Sequence, residues 1–199
     1  MKKTPEEFKR ESVKQLFEKI LKDTEVKLKP LSITASECLN DDFTTTEFSF
    51  EESSPSGGII SSEAKGKGFV DGLFHGLSKH YNNKYSSLEH IKLIDIVVNP
   101  LMKSTKNNGS DAMANVIFRV EVDKHGIAEF CHQSRSMINS GFTAALSAFQ
   151  FYINCEKTFH KIQLILEDAV QRNRGDIAQA CMSDLSKLTA VNTYAKKEN

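Results

Sequence analysis

Gly66-Lys67-Gly68-Phe69-Val70-Asp71-Gly72 delivers the chain through a glycine turn into an amphipathic run that carries Leu73, Phe74 and Leu77. Two glycines one residue apart let backbone N–H groups converge on the positive end of the helix that follows, a seat for a carboxylate or a phosphate. Asp71 falls in the first helical turn and has two readings. As a structural residue it complements the helix dipole, worth up to about 1 kcal/mol at an exposed site. As a functional one it faces the ammonium of an amino acid whose carboxylate rests on the glycine amides. Gly68, Gly72 and Gly76 recur every four residues on one stripe. Each weakens a helix by about 1 kcal/mol relative to alanine, so close approach to another backbone is the compensation. Helix-on-sheet packing accounts for Gly72 and Gly76, whereas Gly66 and Gly68 precede the helix, where packing needs them less.

Other chemistries lack their residues. The glycine run resembles a dinucleotide fingerprint only superficially, because its third glycine is one residue late and Ser61 to Lys65 make a poor buried strand. Gly-Lys-Ser and Gly-Lys-Thr do not occur. His75, His80, His90, His125, His132 and His160 show no metal spacing, and no serine or cysteine sits on a nucleophile elbow. The pairs Asp41-Asp42 and Glu51-Glu52 read as solvated carboxylates. Cys38, Cys131, Cys155 and Cys181 form no CxxC pair and read as small buried apolar residues. The adjacent Cys131 and His132 would point to opposite faces of a strand. The expectation is a non-catalytic protein without metal or cofactor.

The chain has 199 residues, enough for one good core with appendages. Its 26 Lys and Arg balance 26 Asp and Glu, which removes the electrostatic argument for nucleic acid. Charged residues follow the amino terminus where a secretory signal would carry an apolar region, and no stretch approaches membrane-spanning length, so a cytoplasmic chain is expected.

The elements that must position the glycine turn are legible from periodicity. Thr4-Pro5-Glu6-Glu7 is a capping box with proline at the first helical position, and Val13, Leu16, Phe17, Ile20 and Leu21 form one stripe. That stripe is buried either on the chain's own sheet or on a partner. Leu31, Ile33 and Ala35 alternate, then Phe48 and Phe50, and Ile59 and Ile60 open a third strand after a Ser/Pro/Gly loop at 53–58. A helix runs from about Gly68 to Tyr81. The order then repeats. Ile91 to Val98 is apolar on both faces, suits a central strand and stops at Asn99-Pro100; Lys103 to Ser110 is a polar loop; Ala112 to Val122 alternate without a break. Asp123-Lys124-His125-Gly126 is a hairpin turn, a strand runs to about Gln133, and a helix spans about Ser136 to Asn154. Beyond it lie one or two more helices, with Phe159, Ile162, Leu166, Ala169 and Val170 on one face and Gly175-Asp176 as stop and new N-cap. The fold class expected is α+β: duplicated βββα units at 25–154, an extra N-terminal helix at 1–24 and C-terminal helices at 155–199.

Gly66-Lys67-Gly68-Phe69-Val70-Asp71-Gly72 resembles the Gly-x-Gly-Pro-Val-Asp-Ala helix start in the C-terminal regulatory, or allosteric dimerisation, domain of α-isopropylmalate synthase and citramalate synthase, with phenylalanine for proline and glycine for alanine. Leu88 to Val97 stands where that family has a Leu-x-x-Tyr-x-Val strand, and Gly109-Ser110-Asp111-Ala112-Met113-Ala114 resembles its Gly-x-Asp-Ala-x-Gly/Ala turn. The family fold is two βββα units. The resemblance covers about residues 26–154 and implies ligand-binding roles for Gly66, Gly68, Asp71, Asp111 and Ala112, a homodimer, a branched-chain amino acid effector such as leucine, a place in leucine biosynthesis, and a separate synthase chain as partner. In the second unit Phe130-Cys131-His132 and Ser136 replace the family's glycines and aspartate. The family's catalytic TIM barrel and its His-x-His motif are absent from this sequence. The alternative reading is a homodimeric scaffold that binds no small molecule.

Overall fold

A computed structural model describes residues 4–37, 40–53, 57–101 and 113–194. The Asp111-Ala112 turn, the 103–110 loop, Cys38 and the centre of the 53–58 loop lie outside them. The first helix, α1 (Pro5–Ile20), begins as its residues dictate: the Thr4 hydroxyl accepts from the Glu7 N–H and the Glu7 carboxylate accepts from the Thr4 N–H. Val13, Leu16 and Phe17 are buried within the chain, chiefly on a helix rather than on a sheet, with Phe17 against Phe151 at 5.6 Å between ring centroids. Burying such a side chain contributes about 1.5–3 kcal/mol.

Among the described residues, six strands follow: β1 (Lys27–Glu37), β2 (Thr44–Ser53), β3 (Ile59–Gly66), β4 (Ile91–Leu101), β5 (Met113–Val122) and β6 (Ile127–Ser134). They form two three-stranded antiparallel sheets in the orders β1-β2-β3 and β4-β5-β6. The class is α+β, with four α-helices among the described residues. Each sheet is one-sided: Phe48 and Phe50 of β2 and Val116, Phe118 and Val120 of β5 face the core, and the residues between them face outward. Both first strands carry a bulge, one between Pro30 and Ser32, the other between Leu93 and Asp95.

The bulges correct two sequence expectations. Leu31 is the extra residue of β1 and is 46% exposed, so it does not share the inward face of Ile33 and Ala35. In β4, Ile91 and Leu93 share the core face before the bulge and Ile96 after it, opposite Phe118, while Val98 continues that face beside Val116 but is 40% exposed. One extra residue at Ile94 flips the alternation. Two one-sided stretches out of phase therefore look apolar on both faces, and β4 is an edge strand paired with β5, not a central one. Its pairing also continues past Asn99-Pro100 to Leu101.

Helix α2 (Phe69–Tyr81) lies on β2 and β3, and α3 (Met137–Gln171) lies on β5, β6 and β1. The sequence placed the end of α3 near Asn154, but it is one helix of 35 residues, because Phe159, Ile162 and Ala169 continue its buried face. After a turn in which Asn173 takes φ 53°, α4 (Gly175–Thr189) folds back on α3. The reversal thus belongs to Asn173, and the residue before the helix is Arg174, not Gly175-Asp176. Phe48–Phe142 and Phe74–Phe149 contacts, at 5.7 and 5.1 Å, join both helices and the first sheet into one core. Buried Asn154 pairs with the backbone of Val26 through two hydrogen bonds, and the Gln150 side chain accepts from the Leu28 N–H. The start of β1 is thereby sealed by α3.

Candidate functional site

The glycine turn closes on the helix it starts. A Cβ on Gly66 would lie 2.7 Å from the Asp71 carbonyl carbon and inside the Gly72 backbone, so side chains are excluded there. This reverses the expectation that packing needs Gly66 less than Gly72 and Gly76. Those two are confined as expected: a Cβ on Gly72 would meet the Thr46 hydroxyl at 2.9 Å, and one on Gly76 the Phe48 ring at 2.7 Å. Gly68 is different. It is the N-cap of α2 in extended conformation, has open space where a Cβ would be, and gives the helix no side-chain cap.

Asp71 does part of the capping from within. Its Oδ2 accepts from the Lys67 N–H at 3.0 Å, and its Oδ1 lies 3.6 Å from His75 Nε2 one turn on. The Thr46 hydroxyl donates to the Phe69 carbonyl at 3.3 Å, which ties the first turn to β2. Gly68, Asp71 and His75, with Val70, Phe74 and Ser78, form one wall of an open groove of about 640 Å³ whose other wall is β4 from Ile91 to Ile96. Its apolar lining comes from Val70, Phe74, Leu93, Ile94 and Ile96, and its charges from Asp71, His75, Lys92 and Asp95. Gly66 is not part of that lining; it holds the turn that shapes the groove's end. The structure therefore brings Gly68 and Asp71 to one cavity and places Gly66 behind them, while Asp111 and Ala112 are outside the described residues.

The β4 wall was not read as part of a site from the sequence. No sequence signal marks Ile94 for that role, because only the bulge exposes it. Asp95, which lines the groove, is also held from the outer face, where Arg119 bonds it at 2.9 Å and Glu129 at 2.8 Å. These two carboxylates hold the Arg119 guanidinium above its ordinary range.

The start of α3 is built from other residues. The Ser136 hydroxyl caps the helix by accepting from the Asn139 N–H at 3.2 Å. Ser134 Oγ donates to the Ser136 carbonyl and lies 2.8 Å from Ser140 Oγ. Phe69, the first residue of α2, packs on Gly141, where a Cβ would lie 3.4 Å from its ring.

Titratable groups away from the groove serve the core. Burial and the Glu52 carboxylate, which accepts from the Tyr81 hydroxyl at 2.7 Å, push that phenol up. Burial likewise raises the Cys155 thiol, which suppresses thiolate chemistry there. Cys155 and Cys181 are buried, as read, whereas Cys131 is exposed. Among the described residues no three His, Cys, Asp or Glu side chains are grouped to hold a metal ion, and no helix is long and apolar enough to cross a membrane.

The sequence matches no protein-family model and no curated protein.

Proposed function

We propose that this chain is a non-catalytic regulatory and dimerisation module of the kind found at the C-terminus of α-isopropylmalate and citramalate synthases, and that it binds a branched-chain amino acid where α2 starts. The amino acid's carboxylate would sit on the uncapped first-turn N–H groups after Gly68, its ammonium near Asp71, and its side chain between Phe74 and Ile94. The observation that carries this reading is the α2–β4 groove: an open helix N-terminus, a carboxylate in its first turn and an apolar wall meet in one cavity. A single amino acid needs that combination of opposite charges beside a small apolar surface.

Internal correspondence supports the duplicated βββα frame on which the reading depends. Leu31 and Ile94 are bulged against matching positions of β2 and β5. The outward row Lys29, Glu51, Ile59 recurs as Lys92, Glu121, Ile127. The N-caps Gly68 and Ser136 follow strand ends Gly66 and Ser134 by the same two residues. The homodimer, the cytoplasmic location and regulation of a separate synthase chain belong to the same proposal.

A thermal-shift series with leucine, isoleucine and valine tests it. One of them is expected to raise Tm in line with RT ln(1 + [L]/Kd), about 2.7 kcal/mol at a hundredfold excess over Kd, and Asp71→Asn is expected to abolish the shift. No shift at saturating concentration with any of the three overturns the effector assignment. The scaffold reading is favoured by one observation, the self-capped start of α3, where side-chain hydroxyls occupy what would be the second seat.

A further inference from the structure

The two sheets have four edges, and an uncovered edge is a template for pairing with another chain. At β1, α3 covers the start through Asn154 and Gln150, and the strand carries Pro30 and a bulge. On β6 the Arg10 guanidinium of α1 donates to the Glu129 carbonyl. β4 is interrupted at Ile94 and contains Pro100. β3 has none of these protections and runs eight residues in unbroken register.

The Glu52 N–H donates to the Gly58 carbonyl, which fixes the phase of the ladder. Backbone groups of Ile60, Ser62 and Ala64 then point at β2, and those of Ile59, Ser61, Glu63 and Lys65 point away from it. Among the described residues, nothing hydrogen-bonds these outward groups. Ile59, at the end of this edge, is 72% exposed, the largest value of any large apolar residue described.

The side chains indicate what pairs there. Glu47 and Glu63 stand opposite each other on the exposed face, in the non-hydrogen-bonded kind of pair where side chains come closest. Like charges so placed repel, and among the described residues neither forms an ion pair. Lys65 lies on the same face of β3, its ammonium 4.4 Å from the centre of the Phe43 ring.

We propose that β3 pairs antiparallel with β3 of a second copy of this chain, about a twofold axis through Ala64. In that register Glu63 of each copy stands directly across from Lys65 of the other, twice over, so the second copy brings a cation beside the Glu47 and Glu63 carboxylates. The remaining pairs, Ser62 with Gly66 and Ala64 with itself, are small and lie on the inner face beneath α2. This rests on the homodimer of the reading above and names its interface.

Light scattering and sedimentation across a concentration series test it. Lys65→Glu and Glu63→Lys each make the facing pairs like-charged and are expected to weaken the dimer at least about tenfold. Mixing the two variants one to one restores opposite charges, and a dimer with one copy of each is expected to re-form. Glu63→Pro removes an outward N–H that faces Lys65 of the other copy and none that bonds β2, and is expected to give a monomer with unchanged circular dichroism. A dimer that survives Glu63→Pro and both charge variants overturns the β3 interface and leaves the homodimer itself standing. A wild type that is monomeric throughout overturns both, while the thermal-shift series still decides the effector separately. If Glu63→Pro fails to fold, the mixing experiment decides alone.

Discussion

The chain enters α2 through glycines and α3 through serines, at N-caps Gly68 and Ser136 that are 68 residues apart. At the second start the polar side chains satisfy one another: Ser136 caps, and Ser134 bridges to Ser140. At the first the side chains are missing, the backbone folds tightly on itself at Gly66, and the helix terminus faces a groove. One local geometry is therefore closed by the chain's own hydroxyls in one place and left available in the other. The difference teaches that glycine has two separate uses here. Gly66 is required by sterics, whereas Gly68 is free of steric demand and leaves donors unclaimed.

The sharpest way to break this distinction is Gly66→Ala. With the Asp71 and Gly72 backbone in the way, overpacking is expected to cost about 3 kcal/mol in urea unfolding, whereas Ser134→Ala at the corresponding strand end is expected to cost about 1 kcal/mol. Equal losses would refute the steric role of Gly66. Next in size is Gly76→Ala, whose Cβ would press on the Phe48 ring; a loss of about 2 kcal/mol is expected, although its counterpart 68 residues on, Ala144, is buried with a Cβ in place. A smaller effect separates the caps. Ser136→Ala is expected to cost about 1 kcal/mol, and Gly68→Ser to gain about 0.3 kcal/mol by supplying the missing acceptor while reducing any amino-acid-induced thermal shift.

The smallest difference is electrostatic. His80 stands as far from the N-cap of α2 as buried Ala148 does from that of α3, and burial, then nearby Lys84, lowers the His80 pKa from 6.5, with Glu52 opposing. The folded state thus binds fewer protons than the unfolded one. The stability from neutral His80 is full above pH 6.5 and is lost as pH falls from there through the lowered folded value. Melting between pH 5 and 7.5 is expected to show a decline that His80→Gln flattens. An identical decline in the variant would assign it to other groups.

Much of this frame is legible in the residues. The Thr4-Pro5-Glu6-Glu7 start, the alternation of β5 and the Gly126 turn, where φ is 91°, all appear where local chemistry puts them. These features are local, and their signals lie within a few residues. What escaped is decided at longer range. A bulge inverts the phase of β4 with no glycine or proline at the bulge to announce it, so an edge strand reads as a central one. The continuation of α3 past Asn154 depends on α4 folding back over it. Of the candidate site, Gly68 and Asp71 were legible because a helix start has a residue signature; Ile94 and Phe74 were not, because a groove between a helix and a strand from different parts of the chain leaves no mark in either.

The amide clamp of Asn154 on Val26 also has a consequence for synthesis. The two residues are 128 positions apart, so on a ribosome adding about 5–20 residues per second Val26 waits roughly 6–26 s before its sealing residue exists. For that interval β1 is a nascent edge without its cover, and the bulge and Pro30, already translated, are the guards it has against pairing with a neighbouring nascent chain.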